Sequence, residues 1–264
     1  MANCLIVLPC YNEEENVKLL VYAIEHVLSQ RIHYQVIAVD DGSNDGTKEI
    51  LKELSKQYPI KILEHKTNRG LAAALQTGLS EAIKLSSRED FIITMDSDNT
   101  HDPKYIIDMM KAAKKADIVI GSRYVENGRQ LNVPFYRVIL SKAVNFLIAK
   151  MMKLPAKDAT SGYRCFKAST LQKLDLISKH NLIESRGFEA SLEILAKAFW
   201  CDSTIKEVPI TLDYGKKRSK SKMRLFPTIR RYVALLLKSR SWAGTFRNRC
   251  QNDTLEGAKK LSKR

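Results

Sequence analysis

The 264-residue chain lacks the marks of several common protein classes. Its five cysteines (Cys4, Cys10, Cys165, Cys201, Cys250) are odd in number and none has CxxC spacing. Neither a zinc site nor a disulfide framework is expected from them, and a reducing, cytosolic compartment is implied. No stretch reaches the ~18 uninterrupted apolar residues of a membrane-spanning helix. The first apolar run, Cys4–Leu8, is interrupted at once by Pro9 and Asn12, which argues against a signal peptide. Neither GxxxxGK[ST] nor GxGxxG occurs, so P-loop and dinucleotide-binding readings lack their motifs. Acidic residues are scarce in one place. From Lys216 to Arg264 there are 16 Lys or Arg against 2 Asp or Glu, which is +14 of the chain's +15. The body is nearly neutral and the excess lies in a basic arm suited to an anionic partner, not in a nucleic-acid-binding face spread over the fold.

What is present is an alternation of short apolar runs and helical patterns. Strands are expected at Asn3–Pro9, Gln35–Val39, Ile60–Leu63 and Phe91–Met95. Helices are expected at Glu13–Gln30, with Asn12 as N-cap, and at Thr47–Gln57 and Leu71–Leu85. This order predicts an α/β fold with a mostly parallel sheet flanked by helices. Ligands of such sheets bind beyond the carboxyl ends of the strands, where the polar clusters of this sequence fall.

Asp96-Ser97-Asp98 directly follows a strand. An isolated Asp-x-Asp is more often a turn, but two carboxylates at a strand end can share one hard cation, Mg²⁺ or Mn²⁺, with phosphate oxygens and water completing its shell. After the second strand, Asp40 and Asp41 stand where a carboxylate can accept hydrogen bonds from a nucleobase or ribose. Ser43 to Gly46 read as turn and helix cap, with Asp45 capping and Gly42 or Gly46 supplying a positive φ. Beyond Pro134 an apolar helix carries Arg137, Ser141 and Asn145 every four residues, on one polar stripe. Spacing alone fits an anion site or a solvent-exposed stripe equally. In Phe226–Trp242, Ile229, Val233, Leu236, Leu237 and Trp242 oppose Arg230, Arg231, Lys238 and Arg240. Such a basic amphipathic helix suits a membrane interface, or docks on the body with a solvated basic face. The last residues, 248–264, are expected to fray.

Six segments together carry a resemblance. Pro9-Cys10-Tyr11-Asn12-Glu13, Val39-Asp40-Asp41-Gly42-Ser43-Asn44-Asp45-Gly46-Thr47, Asn68-Arg69-Gly70, Met95-Asp96-Ser97-Asp98, Gly121-Ser122-Arg123-Tyr124 and Thr160-Ser161-Gly162-Tyr163-Arg164 occur in this order. Over roughly residues 3–225 the chain resembles family 2 glycosyltransferases of the GT-A fold, within them the dolichol-phosphate or polyprenyl-phosphate mannosyltransferases and their bacterial glucosyl relatives.

The resemblance implies a GT-A domain over 1–225, divided into a nucleotide-sugar half (1–125) and an acceptor half (126–225), followed by a basic helix and tail (226–264). It implies that Pro9, Tyr11 and Glu13 line the nucleobase pocket and that Asp40 or Asp41 bonds the base. Asp96 would face sugar and metal, and Asp98 would hold the metal. Where the branch often has a Gln as a further ligand this chain has Thr100, a weaker one. Arg123, Arg137 and Ser141 would hold the acceptor phosphate, and Lys222, in the loop Lys216–Met223, would meet the donor diphosphate. The implied reaction moves a hexose, mannose or glucose, from a GDP- or UDP-sugar to polyprenyl phosphate with inversion, at the cytoplasmic face of a membrane. Attachment there would be reversible or through a membrane-embedded partner. An anionic phosphate nucleophile needs no general base. A glycan or protein acceptor would need one, and Glu189 is then the candidate, although it also reads as a helix-start residue. A nucleic-acid-binding protein with a basic arm is the alternative outside enzymes.

Overall fold

The computed structural model describes residues 3–219, 222 and 225–261, without the side chains of 225, 240 and 252–261. Lys220, Ser221 and Met223 of the basic loop and the Arg240 side chain therefore lie outside the described residues. The first four strands are β1 (Cys4–Cys10), β2 (Tyr34–Asp40), β3 (Ile60–Glu64) and β4 (Phe91–Thr94). They are separated by α1 (Val17–Leu28), α2 (Thr47–Leu54) and α3 (Leu71–Leu85). There follow α4 (Ile106–Ala113), β5 (Ile118–Ser122), β6 (Arg129–Leu131), α5 (Phe135–Met152), β7 (Arg164–Lys167), α6 (Ala168–Ile177), α7 (Ala190–Trp200), β8 (Ile205–Pro209), β9 (Thr211–Asp213) and α8 (Leu225–Leu261).

The main sheet has the order β3-β2-β1-β4-β7-β5-β8, and β6 pairs with β9 in a small second sheet. Every pairing in the main sheet is parallel except those of β7. The expected mostly parallel sheet is therefore present. Both faces are covered, and β1 reports this in its alternation. Leu5 and Val7 join the core beneath α3, α6 and α7, whereas Cys4, Ile6, Leu8 and Cys10 join the core beneath α1 and α4. A glycine sets the approach of α3 to the sheet: a Cβ on Gly78 would lie 2.4 Å from Val7 Cγ1 and 3.1 Å from Val39 Cγ2.

Strand β7 decides where the site lies. It inserts antiparallel between β4 and β5, with Arg164 opposite Thr94 and opposite Ile120. Its amino end therefore sits at the carboxyl edge of its neighbours. The preceding residues 158–163 arrive beside the loops that follow β4 and β5.

Several expectations are corrected. Helix α1 begins at Val17, not after Asn12. Asn12 takes a left-handed conformation (φ 51°) and its Oδ1 accepts the Asn44 N–H at 2.8 Å, so it joins two loops instead of capping a helix. Helix α8 continues to Leu261 where fraying was expected. Its apolar residues do not form one face: Tyr232, Leu235, Leu236, Phe246 and Cys250 are buried against the body, while Val233 and Leu237 are exposed.

The cysteines also depart from expectation. Cys201, after α7, and Cys250, on α8, form a disulfide with Cα atoms 5.6 Å apart, and Cys4, Cys10 and Cys165 are free and buried. The paired cysteines are 49 positions apart in the sequence, which carries no spacing signal; the return of α8 onto α7 brings them together. Beside the disulfide, Lys197 is fully buried. It pairs with Glu193 at 2.6 Å, donates to Leu182 O at 2.9 Å, and lies 5.4 Å and 5.1 Å from the ring centres of Trp242 and Phe246. A buried ammonium is tolerable only with such partners.

Candidate functional site

The loops after β1 and β2 are bound to each other. Asn12 N–H donates to Ser43 Oγ at 3.0 Å, and Glu13 N–H donates to Thr47 Oγ1 at 2.7 Å. Gly42 makes the second loop possible. Its φ is +68°, and a Cβ there would strike the Thr67–Asn68 backbone at 2.6–2.8 Å. The N-cap of α2 is Gly46, not Asp45 as expected; Asp45 stands one residue earlier and accepts the Thr47 N–H at 3.0 Å.

The two adjacent aspartates have different work. Asp41 is committed inside the fold. It accepts the N–H groups of Arg69 (2.9 Å) and Gly70 (2.8 Å) and sits 2.6 Å from His65 Nδ1, so it fixes the Asn68-Arg69-Gly70 turn at the start of α3. Asp40 accepts the Ser43 N–H at 3.2 Å and belongs to the loop edge. Glu13 is nearly buried. It accepts from Asn16 Nδ2 (2.7 Å), Ser219 Oγ (3.1 Å) and Lys222 Nζ, while the Lys222 ammonium also meets Tyr11 O and lies 5.9 Å from the Tyr11 ring centre.

After β4 the chain turns through Asp96-Ser97-Asp98. Ser97 faces inward, donating to Pro9 O at 2.9 Å, and so turns the two aspartates apart. Asp96 N–H donates to His101 Nδ1 at 3.0 Å, and the His101 ring stacks on Tyr163 at 4.9 Å. The Asp96 carboxylate opens into a cavity, with 44% of its side chain accessible. Enclosure by the cavity walls and the like charge of Asp98 raise its pKa, against His101, Lys217 and Arg123. Asp98 differs. Burial pushes its pKa up, but the Lys217 ammonium at 2.5 Å and the Thr100 hydroxyl at 2.6 Å outweigh that and hold it below the usual range. Thr100 thus positions Asp98.

The cavity, of about 170 Å³, gathers Pro9, Asp96, Arg123, Arg137 and Ser141. Arg123 is locked. Its Nε and Nη2 donate to the two oxygens of fully buried Asp158 at 2.7 and 2.6 Å, and Nη2 also reaches Thr160 Oγ1 at 3.0 Å and Ser141 Oγ at 3.5 Å. Burial would lower its pKa, yet the Asp158 carboxylate holds it above normal, so Arg123 is a permanent cation. Arg137 is less confined and stands beside the Tyr136 and Tyr214 hydroxyls.

The α5 stripe faces the cavity rather than solvent. Asn145 is buried, donating to Thr160 Oγ1 at 2.9 Å and accepting the Thr160 N–H at 3.2 Å. The exposed large apolar residues of α5 are Phe135, Tyr136, Ile139, Phe146, Leu147 and Met151. Tyr11, Glu13, Asp40, Asp41 and Lys222 lie at the ends of β1 and β2, outside the cavity lining, and Asp98 lies between the two groups against Lys217.

Sequence reasoning did not single out Asp158, His101 or Lys217. Asp158 stands two residues before Thr160, in a segment already marked by its motif, and that proximity was the available signal. Arg164 has a structural task. Fully buried, it donates to the carbonyls of Ala159 (2.7 Å), Ser161 (2.9 Å) and Ser191, bracing the loop that floors the cavity, and burial lowers its pKa to about 10. Glu189 Oε1 accepts the N–H groups of Arg186 (3.2 Å) and Gly187 (3.1 Å), so it acts as a helix-start residue of α7.

Residues 5–175 match the family described as glycosyl transferase family 2. The chain belongs to that family. It is 34% identical over 244 residues to a dolichol-phosphate mannosyltransferase of Pyrococcus furiosus, covering 90% of this chain and 64% of that protein. It is 33% identical over 210 residues to a polyprenol monophosphomannose synthase of Mycolicibacterium smegmatis, covering 78% of this chain and 76% of the relative. A crystal structure of glucosyl-3-phosphoglycerate synthase from Mycobacterium tuberculosis, in complex with Mn²⁺, UDP and glucosyl-3-phosphoglycerate, superimposes with a TM-score of 0.56. It has 17% identity and covers 95% of this chain and 80% of that one. The family and the sheet order together establish the GT-A fold.

Proposed function

We propose that this chain transfers a hexose, with mannose the first candidate, from a nucleotide sugar to a polyprenyl phosphate at a membrane surface, inverting the anomeric carbon. The observation that carries this reading is the meeting of Arg123, Arg137 and Ser141 with Asp96 in one cavity. Two guanidinium groups and a hydroxyl suit a phosphate monoester, whose oxygens accept paired hydrogen bonds from arginine. The mannosyl and polyprenyl names of the two relatives support the same donor sugar and acceptor.

In this reading Pro9, Tyr11, Glu13 and Asp40 face the nucleobase and ribose, with Lys222 near the diphosphate. Asp41 acts indirectly by fixing residues 68–70. The acceptor phosphate, held by Arg123, Arg137 and Ser141, is the nucleophile. It is already anionic at neutral pH, so no side chain has to remove a proton.

The residues fit a divalent cation, Mg²⁺ or Mn²⁺. Among the described residues no three His, Cys, Asp or Glu side chains gather at one point, so the protein offers two carboxylates, Asp96 and Asp98, with the remaining positions left to phosphate oxygens and water. The Lys217 ammonium on Asp98 shows that this carboxylate already accepts a cation. Such an ion would neutralise charge on the leaving diphosphate.

The cavity lies between α5 (Arg137, Leu140, Ser141) and α8 (Thr228, Ile229, Tyr232). Both helices expose large apolar residues, Phe135 at 77% and Phe226 at 83%, near exposed Lys142, Arg230 and Lys238. Among the described residues no helix is long and apolar enough to cross a membrane. Apolar tips with basic neighbours suit shallow insertion into an anionic leaflet, the cytoplasmic one in our reading. A polyprenyl chain could then pass directly from bilayer to cavity.

A glycan or protein acceptor is less favoured: it needs a general base, and the candidate Glu189 already holds the Arg186 and Gly187 N–H groups through Oε1 at the start of α7. The test is release of nucleoside diphosphate from GDP-mannose, UDP-glucose and UDP-N-acetylglucosamine, with Mg²⁺ or Mn²⁺, with and without a short polyprenyl phosphate. Turnover dependent on the lipid and lost in Asp96→Asn, by about 100-fold or more, is the expected result. Turnover indifferent to the lipid would overturn the acceptor assignment.

A further inference from the structure

The segment after β9 crosses the donor edge of the sheet and is fastened by its own side chains. Lys216 Nζ meets Asp102 Oδ2 at 2.9 Å, Lys217 Nζ meets Asp98 Oδ2 at 2.5 Å, and Arg218 N–H donates to Asn16 Oδ1 at 3.1 Å. These contacts differ in depth. The Lys216 side chain is 49% accessible, whereas Lys217 and Asp98 are 14% and 13% accessible. Surface pairs contribute little, but a buried ammonium and carboxylate depend on each other, because either left alone bears its full desolvation cost.

Lys217 also lies within electrostatic reach of Glu13 and Asp96. The Lys217 ammonium therefore faces three carboxylates, of which Glu13 is also paired with Lys222. Its position is the informative point. It occupies Asp98 Oδ2, and because Thr100 holds Oδ1, Oδ2 is the oxygen left for a divalent cation, which for Mg²⁺ would sit at about 2.0–2.1 Å. Two cations cannot share that side of one carboxylate oxygen at such distances without strong repulsion.

We propose that Lys217 is a tethered counter-cation of this site: it and a divalent cation are alternative partners of Asp98, and on arrival of a metal–nucleotide it transfers from Asp98 to a diphosphate oxygen. The inference rests on the metal-dependent reading above. It assigns to Lys217 a positioning role distinct from that of Lys222, whose contacts are to Glu13 and the Tyr11 and Asn12 carbonyls. No bond is made or broken in this exchange. Lys217 stays protonated throughout, and the total charge facing the diphosphate rises by the charge of the incoming metal.

The role has an opposed signature that a merely structural lysine would lack. Lys217→Met should bind Mn²⁺ alone more tightly than the wild type, by about tenfold, because nothing competes for Asp98. The same variant should bind nucleoside diphosphate with saturating Mn²⁺ more weakly, by a similar factor, because the diphosphate has lost a cation. Lys217→Arg keeps the charge and should return both affinities toward wild type. Mn²⁺ binding is read by electron paramagnetic resonance of the free ion, and nucleotide binding by calorimetry with GDP and UDP. Thermal melts of each variant check folding. If Asp98→Asn abolishes Mn²⁺ binding but Lys217→Met binds Mn²⁺ no more tightly than wild type, the metal site stands and the proposal for Lys217 falls. If neither wild type nor Lys217→Met binds Mn²⁺, with or without nucleotide, the metal reading falls and takes the proposal with it.

Discussion

The two ends of the candidate site, the carboxyl ends of β1 and β2 and the cavity beside α5, are built with opposite charge. On the side proposed for the donor the fixed groups are carboxylates, Glu13, Asp40, Asp96 and Asp98, and the cations come from the arm at Lys217 and Lys222. On the side proposed for the acceptor the fixed groups are cations, Arg123 and Arg137, with Asp158 paired to Arg123. The first arrangement suits a ligand that brings a cation with it. The second suits a bare anion. The difference extends to rigidity: Arg123 is locked at four hydrogen-bonding groups, whereas Arg137 stands at the mouth of the cavity with neutral hydroxyls for neighbours.

The largest expected effect separates those two arginines. Arg123→Ala leaves Asp158 buried without its partner, so it should cost about 3–5 kcal/mol of stability as well as about 100-fold in turnover. Arg137→Ala should leave stability within about 0.5 kcal/mol while raising the KM for polyprenyl phosphate about 10- to 100-fold. Urea unfolding and steady-state kinetics on both variants check this. Equal destabilisation would break the distinction between a locked and an open cation.

A third variant tests whether the anchoring of α8 is separable from the donor side. Glu193→Ala strips the buried Lys197 of its closest carboxylate, and should cost about 3 kcal/mol. Nucleotide binding by the folded fraction should be unchanged, because Lys197 lies beneath α8 and not at the donor edge. Weakened nucleotide binding would show that the two regions are coupled.

The smallest effect concerns the thiol under the donor loop. Burial, with Glu13 and Asp40 adding, raises the Cys10 pKa from 9.0 to about 12, although Ser97 and Lys222 pull it down. The folded value lies above the unfolded one, so this contribution to stability is intact below pH 9 and is lost as the pH rises from 9 toward 12. Iodoacetamide at pH 9 should therefore leave Cys10 unmodified in the native protein and label it in urea. Without reductant, urea should expose only Cys4, Cys10 and Cys165, with Cys201 and Cys250 added after reduction. Native labelling of Cys10 would contradict the burial.

The same two sides differ in how far they could be read from sequence. The donor side is made of strand–loop units whose functional residues are consecutive, such as Tyr11 to Glu13 and Asp96 to Asp98, so a buried run followed by polar residues sufficed. It did not distinguish Asp40 from Asp41, because their division of labour depends on the Arg69 and Gly70 amides, 28 and 29 residues further on. On the acceptor side, Arg123, the α5 stripe and Asp158 come from three separate segments. Four-residue spacing locates the stripe but leaves its direction open, since α5 turns Arg137, Ser141 and Asn145 inward while apolar Phe135, Ile139 and Phe146 stay exposed. Nothing local announced the disulfide or the setting of Lys197, both of which depend on α8 returning to α7. An Asn before a helical pattern looks the same whether it caps the helix or, like Asn12, joins two loops.

The position of β7 bears on whether the halves of this protein are interchangeable parts. Residues 1–125 contain the donor loops, and β4 and β5 both belong to them, yet these strands do not touch. The strand between them is supplied by residues 164–167. A fragment ending near 125 would leave a gap of one strand, with β4 and β5 about 9–10 Å apart and two unpaired inner edges. A graft of a foreign acceptor half would likewise have to restore the register of Ile92 with Phe166 and of Ile118 with Phe166 before any donor could be bound. Under the proposed assignment, acceptor preference would be open to change by substitutions along α5 and around Thr160, and closed to exchange of whole segments.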